Sequence, residues 1–287
     1  YIGGAEHAVL HLLYVRFLAM AFYDLGLLPF EEPFKKFRAH GLLIKDGAKM
    51  SKSRGNIVNP DEYIKKYGAD TLRMYLMFLG PFEKGGDFRD TGIRGITRFL
   101  ERVWKFVQEN ANRKSQSAKR KSESKSLLKI VHKTIKKVTE DIENLQYNTA
   151  ISALMVLLNR FEENVAEVSK KDIEIFLKLL APFAPHITEE LWQNIHNVSS
   201  PRFKASRSIH LQPWPRHNPR LIQEEKYNLI IQVDGRVRDK IEVKRGASEK
   251  EVTDLVLTRE AVKKWLAGKK IKRIIFVPDR LINIVTD

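Results

Sequence analysis

Apolar and polar residues follow three different rhythms along this chain. Residues 5–25, AEHAVLHLLYVRFLAMAFYDL, are apolar almost all round and predict a largely buried helix stopped by Gly26. After a proline-containing connector, FRAHGLLI (37–44) reads as a short buried strand and Asp46-Gly47 as a turn. NPDEYIKKYG then predicts a helix, with Asn59 as N-cap, Pro60 at the first helical position, Glu62 three residues after the cap and Gly68 as the stop. A second short helix, ADTLRMYLMFLG, ends at Gly80-Pro81.

From about residue 90 the rhythm lengthens. Amphipathic helices are predicted over 90–109, 127–144, 148–165 and 170–180, with another in PHITEELWQNIH. Between the first two, residues 111–126 hold five serines, six Lys or Arg and one Glu, which is too polar to pack and reads as a basic connector. The last stretch changes again. KYNLIIQV, Asp234-Gly235 and RVRDKIEV predict a β-hairpin, followed by helical segments from Ser248 to Leu266 and by strands in IKRIIFV and LINIV. There is no internal repeat. The expected organisation is multidomain α/β plus all-α, divided as 1–88, 89–222 and 223–287.

Composition narrows what such a molecule touches. The 287 residues carry 51 Lys and Arg against 35 Asp and Glu, a net charge of +16, which points to a polyanionic partner, nucleic acid first. With 43% hydrophobic residues the chain can bury a sizeable core. It has no cysteine, so disulfides and thiolate metal sites are excluded, and a reducing compartment suits it. His11, Arg16 and Asp24 interrupt the most apolar helix, so no apolar run of roughly 18 residues is expected to span a membrane. The chain opens on Tyr1-Ile2-Gly3-Gly4, as though in mid-domain.

One segment has no place in a core. GAKMSKSRGN (47–56) gathers Lys49, Lys52 and Arg54 with two serines between glycines and without a carboxylate. Charge alone leaves two readings level: a solvated loop, or a loop whose lysines supply mobile charge to a phosphate chain. It is not a Walker loop, since G-x-x-x-x-G-K-[ST] is absent.

The string KMSKS (49–53) resembles the signature loop of class I aminoacyl-tRNA synthetases, and the likeness continues on both sides. YIGGAEHAVLHLLYVRF is similar to the segment that opens the second half of the Rossmann-type nucleotide fold in the leucyl branch. NPDEYIKKYGADTLRMYLMF resembles the connection leaving that active site. LLAPFAPHITEELW (179–192) and LQPWP (211–215) resemble parts of the helical-bundle anticodon-binding domain. IIQVDGRVRDKIEV and VPDRLINIV are similar to the small α+β C-terminal domain of the bacterial enzymes.

The resemblance implies roles residue by residue. Lys49 and Lys52 are the expected catalytic groups, neutralising a departing pyrophosphate, with Met50, Ser51 and Ser53 holding the loop against ATP. Glu6 would accept the ribose hydroxyls of an adenylate, where a bland reading makes it an acid at a helix start. Gly3 and Gly4 would admit the nucleotide closely, and also suit an ordinary strand-to-helix turn. His7 would be a neutral donor to the adenylate or the leucine, and His11 a satisfied core histidine. The pair at four-residue spacing beside Glu6 lacks a third ligand, so no metal is expected. Trp192, His186 and Glu189–Glu190 read as core and helix-start residues. Arg236, Arg238, Lys269, Lys270, Lys272 and Arg273 are expected to contact tRNA, since residues 226–287 hold 15 Lys or Arg against 9 Asp or Glu, a surplus of 15 − 9 = 6.

The implied reaction is leucine–tRNA ligation: leucine and ATP, with Mg2+, give leucyl-adenylate, whose acyl group passes to tRNA(Leu) in the cytoplasm. None of the eight histidines forms the His-x-Gly-His signature that such enzymes carry in the first half of the fold. The expectation is therefore a C-terminal portion or small (beta) subunit, inactive without a complementary N-terminal (alpha) part carrying that motif and the editing domain. A non-catalytic tRNA- or RNA-binding protein is the alternative.

Overall fold

The structure is a computed structural model and describes residues 1–110, 124–196, 207–222 and 226–287. They form two compact units, Tyr1–Leu221 and Ile222–Asp287.

The first unit opens with β1 (Ile2–Gly4), a 3-10 turn (Ala5–Ala8) and α1 (His11–Asp24). β2 (Arg38–His40) pairs parallel with β1. β3 (Leu43–Lys45) is the centre of a separate three-stranded sheet, antiparallel to β4 (Ala48–Lys49) and parallel to β5 (Gly86–Phe88). Between β4 and β5 lie α2 (Pro60–Tyr67) and α3 (Ala69–Phe78). Five helices follow: α4 (Ile93–Asn110), α5 (Ser124–Glu143), α6 (Tyr147–Glu163), α7 (Lys170–Leu180) and α8 (Pro185–Ile195). A short α9 (Pro219–Ile222) lies at the boundary with the second unit.

The helices arise where the apolar period said they should, and their ends are chemically marked. Asn59 accepts the N–H of Asp61, with Pro60 as first helical residue and Gly68 at φ 87° as the stop; the reciprocal bond expected of Glu62 is not made. Ser169 and Asp172 form a full capping box on α7. One hydrophobic cluster runs from Leu72 and Met74 of α3 through Phe99 and Val103 of α4, Val131 of α5, Leu154 and Phe161 of α6 and Phe176 of α7 to Leu191 and Trp192 of α8. Asp141, buried on α5, accepts from Lys137 Nζ (2.6 and 2.7 Å) and from Thr149 Oγ1 of α6 (2.7 Å), so its charge is matched rather than stranded. Trp192 Nε1 donates to Arg207 O at 2.9 Å, and Trp214 Nε1 to Thr139 Oγ1 at 2.8 Å.

Two stretches depart from expectation. The segment 5–25 is neither one helix nor buried. The chain breaks at Val9–Leu10, and of α1 only Ala19 is buried, while Leu13, Tyr14, Phe17 and Leu18 stand half or more exposed. Apolar periodicity reports what a surface is made of, not what lies against it. Taken together, Ala5–Asp24 is long and apolar enough to cross a membrane by length and composition, against the expectation that its polar residues forbid this. Within it Arg16 pairs with Glu32, and His11 is exposed rather than in the core, stacked on Tyr1. Second, 37–44 is two strands in two sheets, neither fully buried, divided at Gly41-Leu42. The expected connector at 111–126 lies outside the described residues, except for 124–126, which belong to α5.

The second unit is a four-stranded sheet in the order β7-β6-β9-β8, from β6 (Lys226–Val233), β7 (Arg236–Lys244), β8 (Ile271–Val277) and β9 (Leu281–Thr286). The hairpin turn at Asp234-Gly235 has both residues at positive φ, 52° and 76°, as a tight two-residue turn requires. α10 (Glu249–Leu257) and α11 (Glu260–Leu266) pack Val252, Val256 and Val262 on Leu229, Ile231, Ile282 and Ile284.

Candidate functional site

The lysine loop is built as a pinned arch. The turn Asp46-Gly47 (φ 51° and 78°) reverses the chain from β3 into β4, and Gly47 N–H donates to Asp87 Oδ1 of β5 at 3.0 Å. That bond, with the Arg89 guanidinium, holds the Asp87 carboxyl below its usual range. β4 ends at Lys49. Asn56 then ties the arch across its base: its Oδ1 accepts the Ser51 N–H at 2.8 Å and its Nδ2 donates to Lys49 O at 3.2 Å. Lys52–Arg54 make one 3-10 turn, closed by Gly55 in the left-handed region at φ 64°. Ser51 Oγ and Ser53 Oγ bond each other at 2.8 Å. Met50 is half-buried against the main cluster, while Lys49, Lys52, Ser53 and Arg54 are exposed. Among the described residues none of the three cations has a carboxylate within 4.0 Å. Three cations carried on one tied loop, without a carboxylate partner among the described residues, make a local positive potential suited to a polyphosphate.

The other predicted nucleotide-binding residues cluster at β1. Gly4 is buried, and a Cβ there would lie 2.3 and 2.5 Å from the two Glu6 carboxylate oxygens, so Glu6 folds back over the glycine. A Cβ on Gly3 would lie 3.1 Å from the Tyr1 ring. His7 sits in the 3-10 turn, and its Nδ1 is enclosed without a hydrogen-bond partner. His11 bonds Tyr1 Oη through Nδ1 at 3.0 Å, and it opens α1 beyond the break that separates it from the 3-10 turn holding His7. Among the described residues no three His, Asp or Glu side chains are grouped as metal ligands would be. No hydrogen bond or ion pair joins the Gly3–His7 cluster to Lys49–Ser53 among the described residues.

In the second unit the six basic residues separate into two kinds. Arg238 lies over the Trp265 ring, 3.4 Å from its centroid, with its Nε enclosed and unpartnered, and Lys269 pairs with Asp234 at 3.3 Å. Arg236, Lys270, Lys272 and Arg273 are exposed and make no ion pair among the described residues.

Three side chains that matter to the first unit gave no signal in the sequence. Asn56 and Asp87 act through the backbone of the loop. Asp70 is a buried carboxylate on α3 that accepts from His186 and Ile187 on α8, so His186 is bonded by a distant acid rather than helping to cap its own helix. Glu189 likewise accepts from Ser208 Oγ at 2.8 Å and Ile209 N–H at 2.9 Å.

Comparison with known proteins fits this geometry. Residues 14–88 match the family described as tRNA synthetases class I (I, L, M and V), and residues 124–253 match the anticodon-binding domain of tRNA ligase, the latter running past the boundary between the two units. The leucine–tRNA ligases of Thermotoga maritima and Thermotoga petrophila are each 43% identical over 99% of the chain. The chain spans 35% of the length of those relatives. A crystal structure of a leucyl-tRNA synthetase of Agrobacterium radiobacter, in a ternary complex with tRNA and LeuAMS, superposes with a TM-score of 0.81 at 32% identity, covering all of this chain and 38% of that one.

Proposed function

The chain belongs to the leucyl branch of the class I aminoacyl-tRNA synthetases, as a C-terminal portion of such an enzyme, and from that premise we propose that it supplies the lysine loop and tRNA-binding parts of a leucine–tRNA ligase. The observation that carries the reading is the pinned arch: Lys49 and Lys52 exposed and unpaired on a base held by Asn56 and Asp87.

In the first step the leucine carboxylate oxygen attacks the α-phosphorus of ATP, forming leucyl-adenylate as the bond to the bridging oxygen breaks and pyrophosphate leaves with the electron pair. Mg2+ enters with ATP as part of the substrate. Lys49 and Lys52 meet the negative charge that grows on the leaving group, and this interaction strengthens as the bond breaks, which is what lowers the barrier. Ser51 and Ser53 hold the loop and offer hydroxyls. Glu6 accepts from the ribose hydroxyls over Gly3 and Gly4, and the unpartnered Nδ1 of His7 finds its partner on the adenylate or the leucine. In the second step a terminal ribose hydroxyl of tRNA(Leu) attacks the acyl carbon and AMP leaves.

The centre is completed by the complementary N-terminal portion, which carries the His-x-Gly-His signature and covers the exposed apolar face of α1. A cytoplasmic location goes with this role. The tRNA contacts include Arg236, Arg238, Lys269, Lys270, Lys272 and Arg273.

Pyrophosphate exchange with leucine and ATP tests the reading. The chain alone is expected to be inactive, and adding the complementary portion is expected to restore exchange. In that assembly Lys52→Ala should slow exchange by about 10²-fold, the size of effect that removal of one oriented charge-stabilising group produces. A near-wild-type rate removes Lys52 from the mechanism. RNA binding without exchange in any assembly identifies a non-catalytic RNA binder instead.

A further inference from the structure

Directly after the lysine loop the chain makes α2, turns at Gly68 and starts α3, and two side chains near that start reach into the helical bundle. The first is Asp70, 8% exposed. Its Oδ2 accepts the Ile187 N–H at 2.7 Å, and its Oδ1 accepts the His186 ring Nδ1–H at 2.7 Å and the His186 backbone N–H at 3.3 Å. Those backbone N–H groups are orphan donors in the first turn of α8. The helix's own cap position, Ala184, has no side-chain acceptor and its first residue is Pro185. α8 is therefore capped from a residue 116 positions away in the chain. The second is Arg73, one turn further on, whose Nε and Nη2 both donate to Pro182 O, at 3.3 and 3.0 Å. That carbonyl lies in the bend between α7 and α8, so α3 holds the bend on both sides.

At its other end the same piece of structure carries the loop. Met50, Val58, Tyr63 and Tyr67 pack on the cluster shared by α3, α4 and α8. Tyr63 Oη donates to Asp90, which also pairs with Lys45 of β3 at 3.7 Å. A capping acid needed only for helix stability would ordinarily come from the residue before the helix. Here it comes from the element that follows the lysine loop.

We propose that Asp70 and Arg73 are positioning residues that register the lysine loop against the helical bundle, so that RNA held by the bundle meets the adenylate in the geometry acyl transfer needs. The proposal rests on the synthetase reading and deepens it. Transfer between two bound partners is sensitive to displacements of about 1 Å, which can cost on the order of 10²-fold.

The test compares the two half-reactions in the assembled enzyme. Asp70→Ala and Arg73→Ala should lower the single-turnover transfer of leucine from pre-formed adenylate to tRNA by about tenfold or more. Pyrophosphate exchange should stay within about twofold of wild type, and Asp70→Asn, which keeps an acceptor, should recover most of the transfer rate. A merely structural role lowers both steps together, and an irrelevant contact lowers neither; either result overturns the proposal. Should Asp70→Ala fail to fold, Arg73→Lys, with one donor in place of the fork, carries the same comparison. Amide hydrogen exchange on the chain alone gives a readout independent of activity. In Asp70→Ala and Arg73→Lys, residues 48–56 should exchange faster together with residues 182–187, and Asp70→Asn should stay closer to wild type. Acceleration confined to 182–187 makes the contact local and overturns the coupling. A wild-type assembly without pyrophosphate exchange sinks the synthetase reading, while the amide data still decide whether loop and bundle are coupled.

Discussion

Gly41 stands where two backbones meet. A Cβ there would lie 2.1 Å from both Gly85 N and Lys84 C, and the Gly41 N–H donates to Phe82 O at 2.9 Å, so neither segment can retreat without losing this bond. Gly41→Ala should therefore destabilise the first unit by about 1–3 kcal/mol, the range for forced overpacking. Gly95, on the exposed side of α4 with nothing within 4 Å of the same position, is the control. Gly95→Ala should be neutral or stabilising by about 0.5–1 kcal/mol, because alanine loses less backbone freedom in a helix. Denaturant melts of the two variants measure the contrast. Asn56 makes a similar point about legibility. It follows the lysine loop without any motif to flag it, yet both ends of its amide are used to pin the arch. A single polar residue whose partner is backbone leaves no pattern in a sequence.

At the scale of elements, the helices were legible because their signals are local. Period and caps together located α2, α4, α6, α7 and α8 to within a few residues. Ser169→Ala, which removes one half of the capping box on α7, should cost about 1 kcal/mol in an equilibrium melt. Contacts between elements add a pH dependence. His132 of α5 accepts the Asn218 N–H through Nδ1 at 3.0 Å, which requires an unprotonated nitrogen. Burial first, and the neighbouring His217 second, push its pKa below the usual histidine value. His196 is lowered too, chiefly by burial. A histidine lowered in the folded state favours folding fully above its unfolded pKa, about 6.5, and that contribution is lost as pH falls through the folded pKa. The melting temperature of the chain should thus fall as pH is taken from about 7 towards 5, and His132→Gln should flatten part of the slope. A melting temperature that rises over that interval contradicts the assignment.

At the scale of the whole molecule, the proposed docking of a complementary portion on α1 is open to test. Leu13, Tyr14, Phe17 and Leu18 are already in water, so Phe17→Glu should leave the melt of the isolated chain unchanged. If the proposed complementary portion docks on α1, the same substitution should abolish its recovery of pyrophosphate exchange, because it would place a charge in that interface. Retained recovery would show that α1 is not the docking face. In the second unit, Arg236 and Arg273 are exposed and unpaired, whereas Lys269 already has Asp234. Arg236→Ala or Arg273→Ala should each reduce the salt dependence of tRNA binding by about one charge, with Lys269→Ala having a smaller effect.

By itself the sequence determined the local elements, the hairpin, the basic surplus, the lysine loop and the kinship that the loop and its flanks carry. These are written in neighbouring residues, through side-chain period, capping chemistry and turn geometry, and they can be read without knowing what lies across the fold. Only the tertiary structure decided that α1 is exposed, that 37–44 divides between two sheets, that Asn56 and Asp87 hold the loop, and that Asp70 caps a helix 116 residues away. Each of these depends on which surfaces meet at long range. An apolar face or a lone carboxylate looks the same in a sequence whatever it meets.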